Sequence, residues 1–331
     1  MGEIRKIFLI GNPISGGSAE KKILKAVRLI EEEGFKVELM LTSKKGDAES
    51  FARQISLDYS TFNPKPLVIA AGGDGTYNEV ANGLVYTDIP MAILPMGTTS
   101  VLAKELKIPR DLRKAVYIAI KGIIKEVHLG RITLLNRDDK NSFKNLKDHN
   151  LIVNNDKTPS SVSRCFLLMA GIGFDGEAVY RVNQRIKRFF GKGAYILSGL
   201  GVLFNYRPSP LKIVSSVKSN EVESREFLGY TTIIGKAACY GGDLKVTPDA
   251  RLTDPYLYVF TTHSPRRISL LKCVFGILIG KHTKFKGISY FKALDIDIKG
   301  KAHIQIDGDY LGMTPAKIGV IENGLRLVFP I

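Results

Sequence analysis

The chain has 331 residues, of which 44% are apolar, and a formal net charge of +16. That length predicts about two domains, and the apolar content suffices for an ordinary core in each. No apolar run reaches the ~18 residues that a membrane-spanning helix needs, and the N-terminal run is too short for a signal peptide. Three widely separated cysteines show no metal spacing and indicate reduced thiols in a cytosolic protein.

Two basic stretches without any acidic residue, at 178–220 and 265–286, carry much of the charge. Such fields attract polyanions, which include nucleic acid, nucleotide and an anionic bilayer, although a solvated basic face explains a single cluster. We expect no nucleic-acid partner, because no RNA-binding aromatic motif or zinc-finger spacing accompanies the charge. The basic residues are Arg181, Arg185, Lys187, Arg188, Lys192, Arg207, Lys212 and Lys218, then Arg266, Arg267, Lys272, Lys281, Lys284 and Lys286.

Strands and helices alternate over residues 1–128. Helices open near Ser18 and Asp47. Strands are predicted at residues 7–10, 37–41, 67–71 and 91–94. Alternation of this kind indicates a parallel sheet covered on both faces, with ligands at the carboxyl ends of the strands. Three loops lie at such ends, at residues 11–17, 72–76 and 95–99.

The later part of the chain has a different pattern. Residues 136–163 are polar, rich in asparagine and without periodicity, which predicts an exposed insertion. Beyond them the pattern predicts short strands separated by turn residues, with helical patterns near 176–206 and 266–280.

Residues 72–76 read Gly-Gly-Asp-Gly-Thr between a buried strand and a helical pattern. This geometry points backbone N–H groups at an anion, and glycine lets a phosphate approach closely. A carboxylate such as Asp74 repels a phosphate unless a divalent cation or a transferred proton lies between them, so the loop predicts a nucleotide with Mg²⁺. A tight turn with a capping aspartate is the structural alternative.

Two other glycine motifs lack the residues that their usual ligands need. Residues 11–18 have the spacing of a P-loop, but Gly17 replaces the lysine that contacts the phosphates. Residues 171–176 match G-x-G-x-x-G but lack the confirming acid about 20 residues later. We therefore expect a simpler nucleotide-lining turn at the first motif and a structural turn at the second.

Two further segments contain candidates for a phosphate contact and for a general base. Gly97 and Thr98 lead from a strand into a helix, and the threonine could donate to a phosphate or cap that helix. Asp307 and Gly308 form a hairpin-turn signal. Asp307 and Asp309, two apart on that turn, could hold a general base beside a partner, with a plain surface turn as the alternative.

The GGDGT core, followed by NEVANGL, resembles the catalytic domain of the diacylglycerol kinase family of lipid kinases, which includes sphingosine and ceramide kinases. NAD kinases share the core, and the resemblance extends over nearly the whole chain except the insertion. With the element pattern it implies an α/β plus β-rich fold: an N-terminal doubly wound parallel-sheet nucleotide domain, then a larger β-sandwich-like domain, with a cleft between them. The expected boundaries are residues 1–130 and 131–317, with a tail at about 318–331 packed back on the first domain.

The resemblance implies ATP and Mg²⁺ as cofactors and assigns roles by matching position. Asp307 corresponds to the base on the lipid hydroxyl, Asp309 stands where the family usually has glutamate, and Asp74 completes the catalytic set. Ser100 and Val101 replace the usual Asn-Asp pair. The positions implied for the nucleotide are Asn12, Thr42, Gly72, Gly73, Asp74, Gly75, Thr76, Asn78, Glu79, Gly97 and Thr98.

In relatives, a loop in the second domain binds a structural Mg²⁺ through one aspartate and neighbouring backbone carbonyls. The matching positions here are Arg251, Asp254 and Tyr256, with Asp254 the only side-chain ligand. Oxygen donors of this kind suit a hard cation. A polar turn is the structural alternative.

The expected activity is ATP-dependent phosphorylation of a lipid hydroxyl, with diacylglycerol as the favoured substrate. The basic half is expected to contact an anionic bilayer from the cytoplasm, and a homodimer stays open. The segment 264–280 could pack into the second domain or lie at a bilayer surface. We expect most of its apolar residues to pack inside the domain, with the flanking basic residues facing the membrane. The alternatives are a soluble-substrate kinase of the NAD kinase type and a nucleotide- or lipid-binding regulator without turnover.

Overall fold

The computed structural model describes residues 6–97, 100–135, 162–181, 205–216 and 224–331. These residues form two compact units. The first comprises residues up to Leu129 and from Glu322 to Ile331, and the second lies between Gly130 and Ile321. Thr98, nearly all of the insertion predicted at 136–163 and part of the first basic stretch lie outside the described residues.

The first unit contains a parallel sheet in the order β2-β1-β3-β4. Its elements are β1 (Ile7–Gly11), α1 (Ala19–Glu32), β2 (Val37–Leu41), α2 (Asp47–Asp58), β3 (Leu67–Gly72), α3 (Asp74–Leu84), β4 (Pro90–Pro95), α4 (Val101–Glu105) and α5 (Leu112–Lys121). The four predicted strands and the two predicted helix starts are confirmed. β1, β3 and β4 are buried along their whole length, as in a parallel sheet with both faces covered.

The order of these strands reverses direction along the chain. From β1 the chain moves outward to β2, then returns past β1 to reach β3 and β4. Because crossovers between parallel strands are right-handed, the crossover helices α1 and α2 cover opposite faces of the sheet. Ligands of such sheets bind where the order reverses, at the carboxyl ends of the strands, here β1 and β3.

The last residues of the chain complete the first unit. In the final strand, β18 (Ala316–Phe329), Arg326 and Leu327 pair in parallel with Pro90 and Met91 of β4. The Arg326 guanidinium lies 3.2 Å from an Asp88 carboxylate oxygen and 3.1 Å from one of Glu126. Glu126 belongs to β5 (Ile123–Leu134), the strand through which the chain enters the second unit.

The second unit is a sandwich of antiparallel sheets. One sheet has the order β14-β13-β10-β7-β16-β17, and the other includes the run β18-β15-β8-β9. Apolar side chains from both sheets form one core, as in Ile172, Val259, Ile213 and Ile296. The elements are β6 (Val162–Phe166), β7 (Met169–Ile172), α6 (Phe174–Arg181), β8 (Leu211–Ser216), β9 (Ser224–Gly229), β10 (Thr231–Gly235), β11 (Cys239–Tyr240), β12 (Leu244–Lys245), β13 (Leu257–Thr262), α7 (Arg267–Leu278), a 3-10 turn (His282–Lys284), β14 (Ile288–Ala293), β15 (Asp295–Gly300), β16 (His303–Ile306) and β17 (Asp309–Met313).

Helix α7 corrects one expectation. We expected most apolar residues of the segment 264–280 to pack inside the second domain, but among those predicted to do so only Leu270 is buried. Phe275 and Leu278 are 62% and 60% exposed. The helix instead packs through the small residues Cys273 and Gly276, which a pattern search for large apolar residues overlooks. None of the helices in the described residues is long and apolar enough to cross a bilayer.

We predict that alanine has opposite effects on stability at two glycines of α3. A Cβ on Gly83 would lie 2.6 Å from both the Ala52 Cβ and the Glu49 carbonyl oxygen of α2, so Gly83→Ala should lower the free energy of unfolding by about 1–3 kcal/mol. A Cβ on Gly75 meets open space, so Gly75→Ala should leave stability unchanged or raise it by up to about 1 kcal/mol. Urea unfolding of both variants checks this, and equal stabilities would contradict the close packing of α2 on α3.

Candidate active site

The loops after β1, β3 and β4 meet at the point where the strand order reverses. The Asn12 backbone N–H donates to the Ala71 carbonyl oxygen (2.9 Å), and the Asn12 amide lies 3.4 Å from the Thr76 hydroxyl. The Met96 N–H donates to the Gly72 carbonyl oxygen (3.0 Å). The structure therefore brings the predicted nucleotide positions Asn12, Gly72 and Thr76 together.

Two other predicted nucleotide positions lie at the same edge of the sheet. The Thr42 N–H, directly after β2, donates to the Gly11 carbonyl oxygen (2.9 Å). A Cβ on Gly97 would lie 3.0 Å from the Ser15 carbonyl oxygen, so glycine is favoured where the loop after β4 passes the loop after β1.

The glycines of the loop at 72–76 differ in what surrounds them. A Cβ on Gly72 would overlap the Thr76 side chain, so internal packing requires that glycine. A Cβ on Gly73 or Gly75 would meet nothing within 4 Å among the residues that the structure describes, and Gly73 has an extended backbone that any residue can adopt. Packing against the described part of the chain therefore does not explain these two glycines. Their missing side chains leave the N–H groups at the start of α3 open to an anion.

Tyr77 holds together the ends of two neighbouring strands, β3 and β4. Its fully buried hydroxyl lies 2.9 Å from the Gly72 carbonyl oxygen and 3.1 Å from that of Leu94. Burial raises the pKa of Tyr77, so the hydroxyl keeps its proton and remains a donor. The carboxyl ends of β3 and β4 are thereby held in one arrangement.

Asp74 binds the amino-terminal end of α4. Its two carboxylate oxygens accept from the Val101 N–H (2.9 Å) and the Leu102 N–H (3.0 Å). Ser100 caps the same helix through its hydroxyl, which accepts from the Ala103 N–H (3.2 Å). Burial raises the pKa of Asp74, and the two N–H donors oppose that shift. Asp74 thus acts as a capping aspartate, but for α4 and not for the helix it begins.

The next two predicted positions lie along α3. Asn78 is buried and accepts from the Asn82 amide through its own side-chain oxygen (3.1 Å). Glu79 is partly exposed one residue further on. The hydrogen bond between Asn82 and Asn78 connects two residues that lie one turn apart on α3.

Asp307 occupies a two-residue turn between β16 and β17, which confirms the hairpin signal in the sequence. Asp307 and Gly308 both have positive φ angles, +48° and +89°, as type I′ hairpin turns require. One oxygen of the Asp307 carboxylate accepts from the Leu167 N–H (2.8 Å), and the other accepts from the N–H groups of Leu168 and Met169 (both 2.9 Å). The turn is therefore bound to the connection between β6 and β7.

A second carboxylate, which sequence reasoning missed, lies close to this turn. Asp175 of α6 is buried and accepts from the Gln305 amide (2.6 Å) and from the Tyr240 hydroxyl. The other end of the Gln305 amide accepts from the Gly308 N–H (2.7 Å). Burial raises the pKa of Asp175. Its only sequence signal is its place in the G-x-G-x-x-G match at residues 171–176, for which we expected a structural turn.

Aromatic side chains of this hairpin and of α6 lie in contact with one another. His303 of β16 is stacked on Tyr180 of α6, with ring centroids 4.3 Å apart. Its Nδ1 lies 3.0 Å from the Tyr310 hydroxyl. Tyr180 is 55% exposed, so this group offers an accessible apolar surface near Asp309.

The loop predicted to hold a structural metal is bound to a lysine. The carbonyl oxygens of Arg251 (3.3 Å), Asp254 and Tyr256 (3.1 Å) accept from the ammonium of Lys236. The Asp254 carboxylate accepts from the Tyr258 hydroxyl (2.7 Å). No cluster of three His, Cys, Asp or Glu side chains suited to a metal occurs among the residues that the structure describes. With an ammonium already on these carbonyls, a divalent cation does not fit the loop.

The contacts of Asp307 predict a loss of stability on mutation. Asp307→Asn keeps a residue that tolerates positive φ, but its NH₂ group would face at least one of the three N–H donors. We expect the free energy of unfolding to fall by roughly 1.5–3 kcal/mol, the typical contribution of hydrogen bonds to a charged group.

Asp309→Asn is the matched control, because it removes the same charge on the same hairpin without touching those three N–H groups. Its free energy of unfolding should fall less than that of Asp307→Asn, because the three N–H contacts are kept. Denaturant unfolding measures both variants, and an unchanged stability for Asp307→Asn would show that the three N–H contacts contribute nothing.

Comparisons with known proteins match both units in turn. A diacylglycerol kinase catalytic domain matches residues 6–132, and a YegS C-terminal NAD kinase beta sandwich-like domain matches residues 169–329. The diacylglycerol kinase of Bacillus subtilis (strain 168) is 28% identical over 99% of this chain and 97% of its own length. That of Staphylococcus carnosus (strain TM300) is 27% identical over 98% and 95%.

Solved structures share the fold. A diacylglycerol-kinase-like chain of Bacillus anthracis str. Sterne has a TM-score of 0.73 at 20% identity, covering 99% of this chain and 96% of its own. Yeast NADH kinase has a TM-score of 0.50 at 12% identity, covering 100% of this chain and 85% of its own. Since both matched domains occur in order along nearly the full length, the chain combines a diacylglycerol kinase catalytic domain with an NAD kinase-like second domain.

Proposed function

We propose that this chain is an ATP- and Mg²⁺-dependent lipid kinase that transfers the γ-phosphate to the hydroxyl of diacylglycerol, giving phosphatidic acid and ADP. The observation that carries the proposal is the pair of glycines, Gly73 and Gly75, whose missing side chains face open space at the start of α3. The match to a diacylglycerol kinase catalytic domain supports a kinase, and the names of the relatives suggest the lipid.

The nucleotide is proposed to bind in the first unit. The N–H groups at the start of α3, the Thr76 hydroxyl and the Asn12 amide suit phosphate oxygens. Mg²⁺ bound with the nucleotide would neutralise charge on the β- and γ-phosphates. Asp74 contributes a negative charge beside the loop and holds α4 in place. The remaining proposed contacts are Thr42, Asn78, Glu79, Gly97 and Thr98.

Asp307 is proposed as the base of the transfer. The hydroxyl oxygen of the lipid forms a bond to the γ-phosphorus, the bond to the bridging oxygen breaks as ADP leaves, and the hydroxyl proton passes to the Asp307 carboxylate. Three N–H donors keep this carboxylate oriented and stabilise its charge. Stabilisation of this kind weakens a base, but phosphoryl transfer depends mainly on positioning and charge neutralisation, so a weak base suffices. Asp309 is proposed to support it.

Helix α7 is proposed as the membrane contact of a cytoplasmic protein. Its exposed apolar residues include Phe275 and Leu278. Exposed basic residues stand at both ends of the helix, among them Arg266 and Lys281. An apolar surface with basic flanks suits an anionic bilayer, where the lipid substrate resides.

Transfer of labelled phosphate from ATP to diacylglycerol in mixed micelles tests the function. The wild-type chain should form phosphatidic acid, and Gly73→Ala should lower kcat/KM for ATP about tenfold or more through loss of a close phosphate contact. Its stability should change by less than about 1 kcal/mol, since the new Cβ meets no neighbour among the described residues.

NADP formation without any lipid product would select the soluble-substrate alternative, and ATP binding without transfer to any lipid would select the regulator.

Vesicle binding tests the membrane contact. Replacing Phe275 and Leu278 with serine should weaken binding to phosphatidylglycerol vesicles by at least about tenfold, because both side chains lose apolar area that the bilayer would bury. Leu57→Ser, on α2 and 66% exposed, is the matched control and should bind like the wild type. Co-sedimentation at low salt provides the measurement. Wild-type binding by the Phe275 and Leu278 variant would show that α7 is not the contact.

A further inference from the structure

Lys236 is a lysine without exposed surface. It follows β10 and has a relative exposure of 0%, which places it among the largest fully buried side chains of the described residues. An ionised side chain in such a place is costly unless its charge and its hydrogen-bond donors are matched. The environment of Lys236 should therefore resemble a binding site for a cation.

The surroundings of the ammonium meet this requirement. An ammonium has three N–H donors, and three backbone carbonyl oxygens accept here, from Arg251, Asp254 and Tyr256. Desolvation lowers the pKa of Lys236 to about 8, and the negative charge of Asp254 opposes that shift. Three carbonyls with one acidic residue nearby form the oxygen-rich set that a hard cation prefers.

We propose that the Lys236 ammonium takes the place of a bound metal ion in the loop 251–256, at the position where the family resemblance implies a structural divalent metal. The three carbonyl dipoles point at one place, where they would repel one another without a positive charge. Mg²⁺ would need oxygens at about 2.0–2.1 Å in octahedral geometry, which the side chain between these carbonyls prevents. This inference concerns the fold of the second unit and is independent of the substrate.

The same lysine connects to the turn that holds Asp307. The Lys236 and Ala237 N–H groups both donate to the Leu168 carbonyl oxygen (2.8 and 3.0 Å). The Leu168 N–H in turn donates to the Asp307 carboxylate (2.9 Å). The backbone of residues 236 and 237 is therefore connected, through the peptide units of Leu168, to the hairpin of the proposed base.

Thermal unfolding of the full chain with Mg²⁺ or with EDTA, combined with metal analysis of the purified protein, tests the proposal. The wild-type chain without nucleotide should contain no stoichiometric divalent metal, and EDTA should leave its Tm unchanged. Lys236→Met, which keeps an unbranched side chain one atom shorter but removes the charge, should lower the Tm by about 5 °C or more. Lys245→Met, at an exposed lysine of the same unit, should leave it unchanged.

A second variant distinguishes an ammonium from a metal ion in this loop, even if Lys236→Met does not fold. Asp254→Asn would remove the only side-chain ligand of a metal, but it keeps the backbone carbonyls that bind the ammonium, so its Tm should fall by no more than about 2 °C. One tightly bound divalent ion per wild-type chain, removed by EDTA with a fall in Tm, would overturn the proposal. So would a Lys236→Met variant with the wild-type Tm.

Discussion

The reversal of strand order between β1 and β3 is the constraint on which the proposed nucleotide site depends. It places the carboxyl ends of two buried strands side by side, so the loops that follow them meet at Asn12 and Thr76. Tyr77 then fixes the ends of β3 and β4 from inside the unit. Gly73 and Gly75 differ from Gly72 in that no neighbour within the described segments requires them to be glycine.

Backbone N–H groups bound by aspartate are a shared feature of the two units. Asp74 binds two N–H groups of α4, and Asp307 binds three N–H groups between β6 and β7. Carboxylates held this way are oriented without relying on other side chains. A residue with both a structural and a chemical role cannot be tested by activity alone, because its replacement also moves the segment that it holds.

The sequence predicted those features that depend on local patterns. The parallel strands follow from buried apolar runs, and the turn at Asp307 and Gly308 follows from residues that tolerate positive φ. Contacts between distant residues were not predictable in this way. Lys236 meets carbonyls up to 20 positions away, and Asp175 meets Gln305 across 130 positions. Helix α7 was misjudged because periodicity shows which residues share a face, but not whether another element covers that face.

We propose that the glycine loop at 72–76 recognises the phosphate tail of a nucleoside triphosphate. Calorimetric titration of ATP and AMP into the wild-type chain and the Gly73→Ala variant tests it most directly. ATP should bind the wild type more tightly than AMP does, and the variant should lose affinity for ATP while its affinity for AMP is unchanged. Equal affinities of the wild type for both nucleotides, or an equal loss for both in the variant, would contradict it.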